Sequence, residues 1–371
     1  MASALSSLET PCFVVDLKKV VENASRMRET CKSLNLQLRP HTKTHKTLEV
    51  AEIQTNGSKR CIAVSTLAEA EYFADNGFDD ILLAYPITEN KIKRCLALME
   101  KLQLFHVMVS NNAGLDTLEK EVMRLPSGKK WSIMLEIDAG YGRTGFNWDS
   151  KEIEDAAVRI KKSEKMHLES LYIHCGNSYS IFNNSEKHAA QKDVISRSRS
   201  AQSRLKALNI ECQVGTGSTP TCSLPLAENA FFAEFHPGNY IFYDYEQYLL
   251  GSCKQSSIAC RVMTRVIDHK PDLNMILVDC GFTALSHDGM RQRPEDFCLI
   301  EGDSNLRLVG MSQEIGKIAA KEGELDCRNY PIGTILFIIP FHGCATAALH
   351  PTFYVHSGTE VQTTWTPVKG W

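Results

Sequence analysis

Four short stretches of this chain carry residue types that could do chemistry together. Pro40-His41-Thr42-Lys43-Thr44-His45-Lys46 sets a lysine among two histidines and a second lysine. An amine becomes a carbonyl-reactive nucleophile when burial or nearby cations lower its pKa, and His41, His45 and Lys46 crowd Lys43 in that sense. Gly215-Thr216-Gly217-Ser218-Thr219-Pro220 and His236-Pro237-Gly238-Asn239 offer hydroxyls, backbone N–H groups and small residues that let an anion approach. Each stretch by itself reads equally well as something blander: a solvated basic loop in the first case, a turn in the other two. Brought to one place, they would make a phosphate cradle beside an imine-forming lysine. That pairing points to pyridoxal 5′-phosphate (PLP). The fourth stretch, Pro340-Phe341-His342-Gly343-Cys344, places an imidazole and a thiol at i and i+2, on one side of an extended chain. Both are good Zn²⁺ ligands. Two ligands do not define a metal site, but an open pair leaves positions for water and substrate and suits a Lewis acid better than a structural zinc.

The elements that must position these stretches are legible as apolar runs. Eight of strand length recur: Leu36–His41, Cys61–Ser65, Asp80–Tyr85, Phe105–Ser110, Trp131–Asp138, Glu169–His174, Glu211–Gly215 and Phe231–Phe235. Helical stretches separate them, and strands alternating with helices predict a parallel sheet. Eight such units predict an α/β fold, a (β/α)8 TIM-type barrel. No GxGxxG follows an early strand to favour an open doubly wound sheet. Barrel enzymes place their chemistry at the C-terminal ends of the strands, with phosphate bound after the last two. The basic stretch follows the first run and the two glycine-rich stretches follow the seventh and eighth. Beyond residue 250 the texture changes. Ser257–Lys270, Asn274–Asp279, Leu306–Met311, Gly333–Ile339 and Thr352–His356 read as strands of a C-terminal all-β domain. The expected division is a barrel over 12–250 and a β-rich domain over 251–371, possibly joined by residues 1–11. Cys12–Asp16 reads as a strand that could join the second domain or lead into the barrel.

The 371 residues carry 41 Lys and Arg against 44 Asp and Glu, a formal net charge of −3. That balance provides no footprint for nucleic acid or an anionic membrane, and no partner of either kind is expected. No apolar run reaches the length needed to span a bilayer. MASALSSLETPCF lacks the basic and apolar regions of a secretory leader. The 13 cysteines are odd in number, scattered and without a CxxC pair, so reduced thiols and a cytoplasmic location are expected. His350 and His356 read as surface or packing residues, and Cys175 as a buried thiol in preference to a metal ligand. Asp279-Cys280-Gly281 reads as a strand-end turn.

RPHTKTHK, YIHCGNSY, GSTPT, HPGNYIFYD, SQE-G and HxC together resemble the alanine-racemase-like (fold-type III) PLP enzymes. Within them the chain resembles the eukaryotic D-serine dehydratases, the D-threonine aldolases and the D-threo-3-hydroxyaspartate dehydratases. The resemblance runs over nearly the whole chain, and PHxKTHK is its most specific marker. It implies that Lys43 is the Schiff-base lysine, with Arg143 near the cofactor ring and Tyr172 and Tyr179 flanking it. Ser218, Thr219, Gly238 and Asn239 would bind the phosphate, and His342 and Cys344 the Zn²⁺. The aldolase relatives carry Asp where this chain has Cys344, which favours a dehydratase. Two departures stand out: Ile315 replaces His in the family's SQEHG, and Phe341 replaces Asn in its PNHxC. Each removes a polar group near the expected metal.

The implied reaction is β-elimination of D-serine to pyruvate and ammonia. Lys43 would serve as imine and base, and the metal would assist departure of hydroxide. Retro-aldol cleavage of a D-3-hydroxy amino acid, dehydration of D-threo-3-hydroxyaspartate and a weakly catalytic PLP-binding protein are the alternatives. Since relatives of this type build their sites at a subunit interface, a homodimer is expected by analogy.

Overall fold

A computed structural model describes residues 3–371. Internal contacts divide the chain into two units, one reaching from the N-terminus to Ala24 and including Asn239–Pro367, the other comprising Ser25–Gly238 and Val368–Trp371.

The larger unit is the barrel. Its parallel strands follow the order Gln37–Leu38, Glu234–Phe235, Gln213–Gly217, Met166–His174, Trp131–Asp138, Leu104–Val109, Asp80–Pro86 and Ile62–Val64, with the short strand Phe146–Asn147 beside Trp131–Asp138. A parallel bridge between His41 and Ala63, in which Ala63 N–H donates to the Pro40 carbonyl at 3.0 Å, links the first strand to the second. Each of the eight apolar runs of the sequence overlaps one of these strands. Local caps set the intervening helices. The Thr66 hydroxyl accepts the Glu69 N–H at 3.1 Å at the start of Leu67–Asp75, and Asn183 caps the long helix Asn184–Ala207. Side chains alternate along each strand, so inward residues of successive strands stack in layers. One such layer is the cluster of Ala63, Leu82, Met108, Met134 and Tyr172. Burying a large side chain of this kind stabilises by about 1.5–3 kcal/mol.

The barrel floor is polar. Arg39, only 5% exposed, reaches Asp80 at 2.6 Å and Glu234 at 2.9 Å, and Glu234 accepts from His236 Nε2 at 2.6 Å. A cavity of about 1240 Å³ opens at this end, lined among others by Arg39, Cys61, Asp80 and Glu234. These residues start or precede the strands, so the cavity lies at the end away from the strand-end loops.

The smaller unit holds a mixed sheet. Among the described residues it runs in the order Ser3–Ala4, Glu360–Trp365, Phe353–Ser357, Cys12–Asp16, Cys260–Lys270, Met275–Val278, Gly316–Ala320 and Leu306–Met311, with Ile335–Pro340 pairing Cys260–Lys270 and Cys298–Ile300. Cys12–Asp16 therefore belongs to this sheet, between Cys260–Lys270 and Phe353–Ser357. Its core includes Leu5, Cys12, Val14, Met263 and Val361. His350 and His356 are packing residues: His350 Nε2 bonds the Ala284 carbonyl at 2.8 Å, and His356 lies 2.9 Å from Arg261. Asp279 anchors the turn after Met275–Val278 by accepting from Thr264 Oγ1 at 2.6 Å and Arg265 N–H at 2.8 Å. All thirteen cysteines are free thiols. Among the described residues no helix is long and apolar enough to cross a membrane.

Candidate active site and metal pair

Lys43 sits in a short 3-10 turn, Thr42–Thr44, directly after the first barrel strand. His41 starts the turn, its Nδ1 accepting the Lys43 N–H at 3.3 Å. Thr42 and Thr44 on either side are buried, whereas Lys43 itself is exposed. The turn is therefore anchored by its neighbours, and the charge of Lys43 acts on the buried His41 and His174.

The expected cationic surround of Lys43 is corrected by the structure. Burial, then the charge of Lys43 and the imidazoles of His236, His174 and His45, holds His41 well below the usual histidine range. His45 is fully buried against Thr47 and Gln54, with ring contacts of 3.2 and 3.0 Å, and burial pushes it down to about 3. Lys46 is ion-paired at 3.1 Å with the fully buried carboxylate of Glu69. These sequence neighbours are thus neutral or neutralised. The charges of Lys43 and Arg143 act on the buried imidazoles of His41 and His174, with His236 beside them. Burial, followed by Arg143 and Lys43, lowers His174 to about 3.

Buried neutral histidines make a stability prediction. Their folded pKa lies below the unfolded value of about 6.5, so the unfolded chain binds more protons between those limits. Stability is fully present above the unfolded pKa and is lost as pH falls towards the folded one. The unfolding free energy from urea denaturation should decline as pH drops from about 6.5 towards 3, by up to about 1.4 kcal/mol per pH unit for each such histidine. His45→Asn, which cannot gain a proton, should make that decline shallower.

The other predicted residues take these positions. Arg143 lies in the loop after Trp131–Asp138. Asp138 Oδ1 shapes that loop by accepting the N–H groups of Gly140, Tyr141 and Gly142 at 2.9, 2.8 and 3.1 Å. The Arg143 side chain is half exposed and 4.0 Å from Glu136. Tyr172 is buried, and its ring stacks on His236 at 4.5 Å with a 6° interplanar angle. Burial pushes the Tyr172 phenol up, so it remains a donor. Tyr179 stacks near His174 at 6.4 Å. Cys175 is a buried thiol 3.1 Å from Thr216, pushed up by burial to about 11.

Ser218 and Thr219 begin the short helix Thr219–Ser223, but the Ser218 hydroxyl is already used. It caps that helix through Thr221 N–H at 3.3 Å and lies 2.9 Å from the Ser178 hydroxyl. Gly217 leaves no room for a side chain, and Gly238 leaves little. A Cβ at Gly217 would come within 2.7 Å of the His236 carbonyl carbon, and one at Gly238 within 3.1 Å of the His41 oxygen. The Asn239 side chain is buried and donates to Asp244. Two buried polar atoms, His236 Nδ1 and Asn239 Oδ1, have no partner. Closely approached backbone at Gly217 and Gly238, with unpartnered polar atoms nearby, fits an anionic heteroaromatic cofactor.

His342 and Cys344 form the second feature. Their side chains hydrogen-bond one another, and His342 Nδ1 lies 2.7 Å from Asp288 Oδ2. Burial alone would lower His342, but the charges of Cys344, Asp288 and Asp244 hold it well above the usual range. A carboxylate on the far nitrogen of a histidine is the usual outer partner of a metal-ligating imidazole. Among the described residues no group of three or more His, Cys, Asp or Glu side chains has metal-holding geometry. The donors that could hold a metal here are the pair His342 and Cys344, an imidazole and a thiol of the kind zinc takes.

Residues 15–246 match the profile of the alanine racemase N-terminal domain, and residues 259–356 that of a putative serine dehydratase domain. A D-serine dehydratase of Dictyostelium discoideum is 34% identical, over 99% of this chain and 98% of its own length. The chain belongs to the D-serine dehydratase and D-threonine aldolase-like family of alanine racemase-type barrels. The family's architecture recurs in the solved D-threo-3-hydroxyaspartate dehydratase of Delftia sp. HT23. That chain is 29% identical with a TM-score of 0.93, and each chain is covered completely. A cysteine-to-alanine variant of such a dehydratase, 28% identical and also at TM-score 0.93, is described as a metal-free form.

Against this family background, the two departures have local structural accounts. Ile315 closes a turn, its carbonyl accepting the Ser312 N–H at 2.8 Å. Phe341 is buried and packs on Gly289, which has φ +88°. A Cβ at Gly289 would overlap the Phe341 ring, with Cδ2 at 2.7 Å. Gly289→Ala should destabilise by about 1–3 kcal/mol through overpacking, in addition to the left-handed backbone penalty. Gly302, at φ +90° with open space around it, isolates the second term. Gly302→Ala should therefore cost measurably less in urea denaturation.

Sequence reasoning did not single out His174, His236, Asp244 or Asp288. His236 carried a usable signal, since it opens the HPGN stretch already chosen for its glycine. Asp288 carried none, because it meets His342 only through the fold.

Proposed function

We propose that this chain is a PLP-dependent D-serine dehydratase that converts D-serine to pyruvate and ammonia by β-elimination. The observation that carries the reading is the presentation of Lys43. It projects from an anchored turn at the end of the first barrel strand, beside histidines kept neutral by burial. The full-length likeness to a protein named D-serine dehydratase supports the choice of substrate.

Ser218, Thr219, Gly238 and Asn239 would hold the cofactor phosphate, chiefly through backbone N–H groups, because the Ser218 hydroxyl and the Asn239 amide are engaged elsewhere. Tyr172 and Tyr179 would flank the ring, with Arg143 near it. Glu234 and Arg39 fix His236 behind Tyr172. When bound, PLP supplies an electron sink for the substrate Cα and Zn²⁺ a Lewis acid for the leaving hydroxyl. Lys43 would hold the cofactor covalently and, once released, its Nζ would take the Cα proton as general base. His342 and Cys344 would hold the Zn²⁺, with Asp288 orienting the imidazole and water or substrate completing the coordination. Since His342 sits well above its ordinary pKa, metal binding there must displace a proton. The family analogy extends the proposal to a cytoplasmic homodimer.

The test follows pyruvate from D-serine and from L-serine. Turnover of the D-isomer alone is expected, and turnover of L-serine alone would overturn the reading. Glycine and an aldehyde from D-threonine would instead mark an aldolase, and a keto diacid from D-threo-3-hydroxyaspartate the third reaction.

A further inference from the structure

One carboxylate in the smaller unit fastens two turns. Asp244 is fully buried and caps the short helix Tyr245–Leu249, its Oδ1 accepting the Gln247 N–H at 2.9 Å. Its Oδ2 accepts two further donors, the side-chain N–H of Asn239 and, at 2.8 Å, the backbone N–H of Gly343. Asn239 opens the turn that follows Gly238. Gly343 lies between His342 and Cys344. A second tie runs the opposite way, for the Glu246 N–H donates to the Phe341 carbonyl at 3.0 Å. The residues on both sides of His342 are thereby pinned to the segment that follows Asn239.

That segment has little slack. A Cβ at Gly343 would stand 3.2 Å from Cys260 Sγ and 3.5 Å from Asp244 Cβ. Tyr243, just before Asp244, has a left-handed φ of +50°. Its N–H donates to the Asn239 carbonyl at 2.7 Å, and its own carbonyl accepts from Cys260 Sγ at 3.3 Å. A non-glycine residue keeps such a backbone only where its surroundings over-determine it. A buried carboxylate likewise needs its donors, since leaving one unfilled costs the full desolvation of the group.

We propose that Asp244 is a positioning residue that couples the cofactor-phosphate turn at Asn239 to the metal ligands His342 and Cys344. The inference rests on the PLP and zinc reading above. Ordering either turn settles the shared carboxylate, so the second ligand finds its own turn already arranged. Each ligand then strengthens the other's binding by one and the same factor.

The experiment uses the full chain, stripped of PLP, of zinc or of both, and reloaded. PLP is titrated through the absorbance of the lysine-bound cofactor, zinc by competition with a chromophoric chelator. In the wild type, removing zinc should weaken PLP binding about tenfold, and removing PLP should weaken zinc binding by the same factor. Asp244→Ala removes the oxygen that both turns share, so the factor should fall towards one. If that variant does not fold, Asn239→Ala replaces it. It should weaken zinc several-fold in PLP-free protein, although Asn239 holds no metal. Uptake of both ligands with no mutual effect, or an undiminished factor in Asp244→Ala, overturns this inference alone. A wild type that takes up neither ligand overturns it together with the reading beneath it.

Discussion

Lys43→Ala should lower kcat on D-serine by about 10⁴-fold, because it removes both the covalent hold on PLP and the base for the Cα proton. The fold should barely notice. The Lys43 side chain is exposed, and the contact that anchors the turn uses its backbone N–H on His41 Nδ1. Surface changes of this kind stay within about 0.5 kcal/mol. Lys43→Arg should be no better, since a guanidinium stays protonated and cannot act as base or imine. Borohydride reduction followed by peptide mapping provides a readout independent of turnover. Wild-type protein should carry the cofactor on the peptide containing Lys43, and the alanine variant should carry none. Cofactor trapped on Lys46, which the structure commits to Glu69, would overturn the assignment.

The second large effect concerns the metal. Cys344→Ala should abolish stoichiometric zinc, measured by elemental analysis, and lower elimination from D-serine by about 10³-fold, the several kcal/mol a Lewis acid supplies to a poor leaving group. The same variant should lose less than about tenfold on D-β-chloroalanine, since chloride departs without such help. The divergence between the two substrates separates a metal at the leaving group from a cysteine that merely packs. Equal losses on both would mean that the pair His342 and Cys344 acts elsewhere. Cys344 is partly buried and His342 has its own hold on Asp288, so the surrounding turn should survive the change.

The barrel was legible because its strands are buried on both faces and read as apolar runs bounded by turns. The smaller unit was less so. Glu360–Trp365 exposes four of its six residues and looks polar, and Cys298–Ile300 is too short for any periodicity. The glycine-rich stretches were legible for a different reason: close backbone approach restricts positions such as Gly217 to glycine, and that requirement shows in the chain itself.

The residue types proposed for the chemistry, Lys43 with its glycine-rich partners and the imidazole–thiol pair, were chosen from the sequence alone, since each depends on a local arrangement of a few neighbours. Which groups surround them was decided only by the tertiary structure. His45 and Lys46 adjoin Lys43 in sequence yet are spent on Gln54 and Glu69, while His174 and His236 arrive from the ends of the sixth and eighth barrel strands. Asp288 and Asp244 reach His342 and Gly343 from far along the chain. Strand alternation and barrel closure choose those companions, and neither can be read from a window of a few residues.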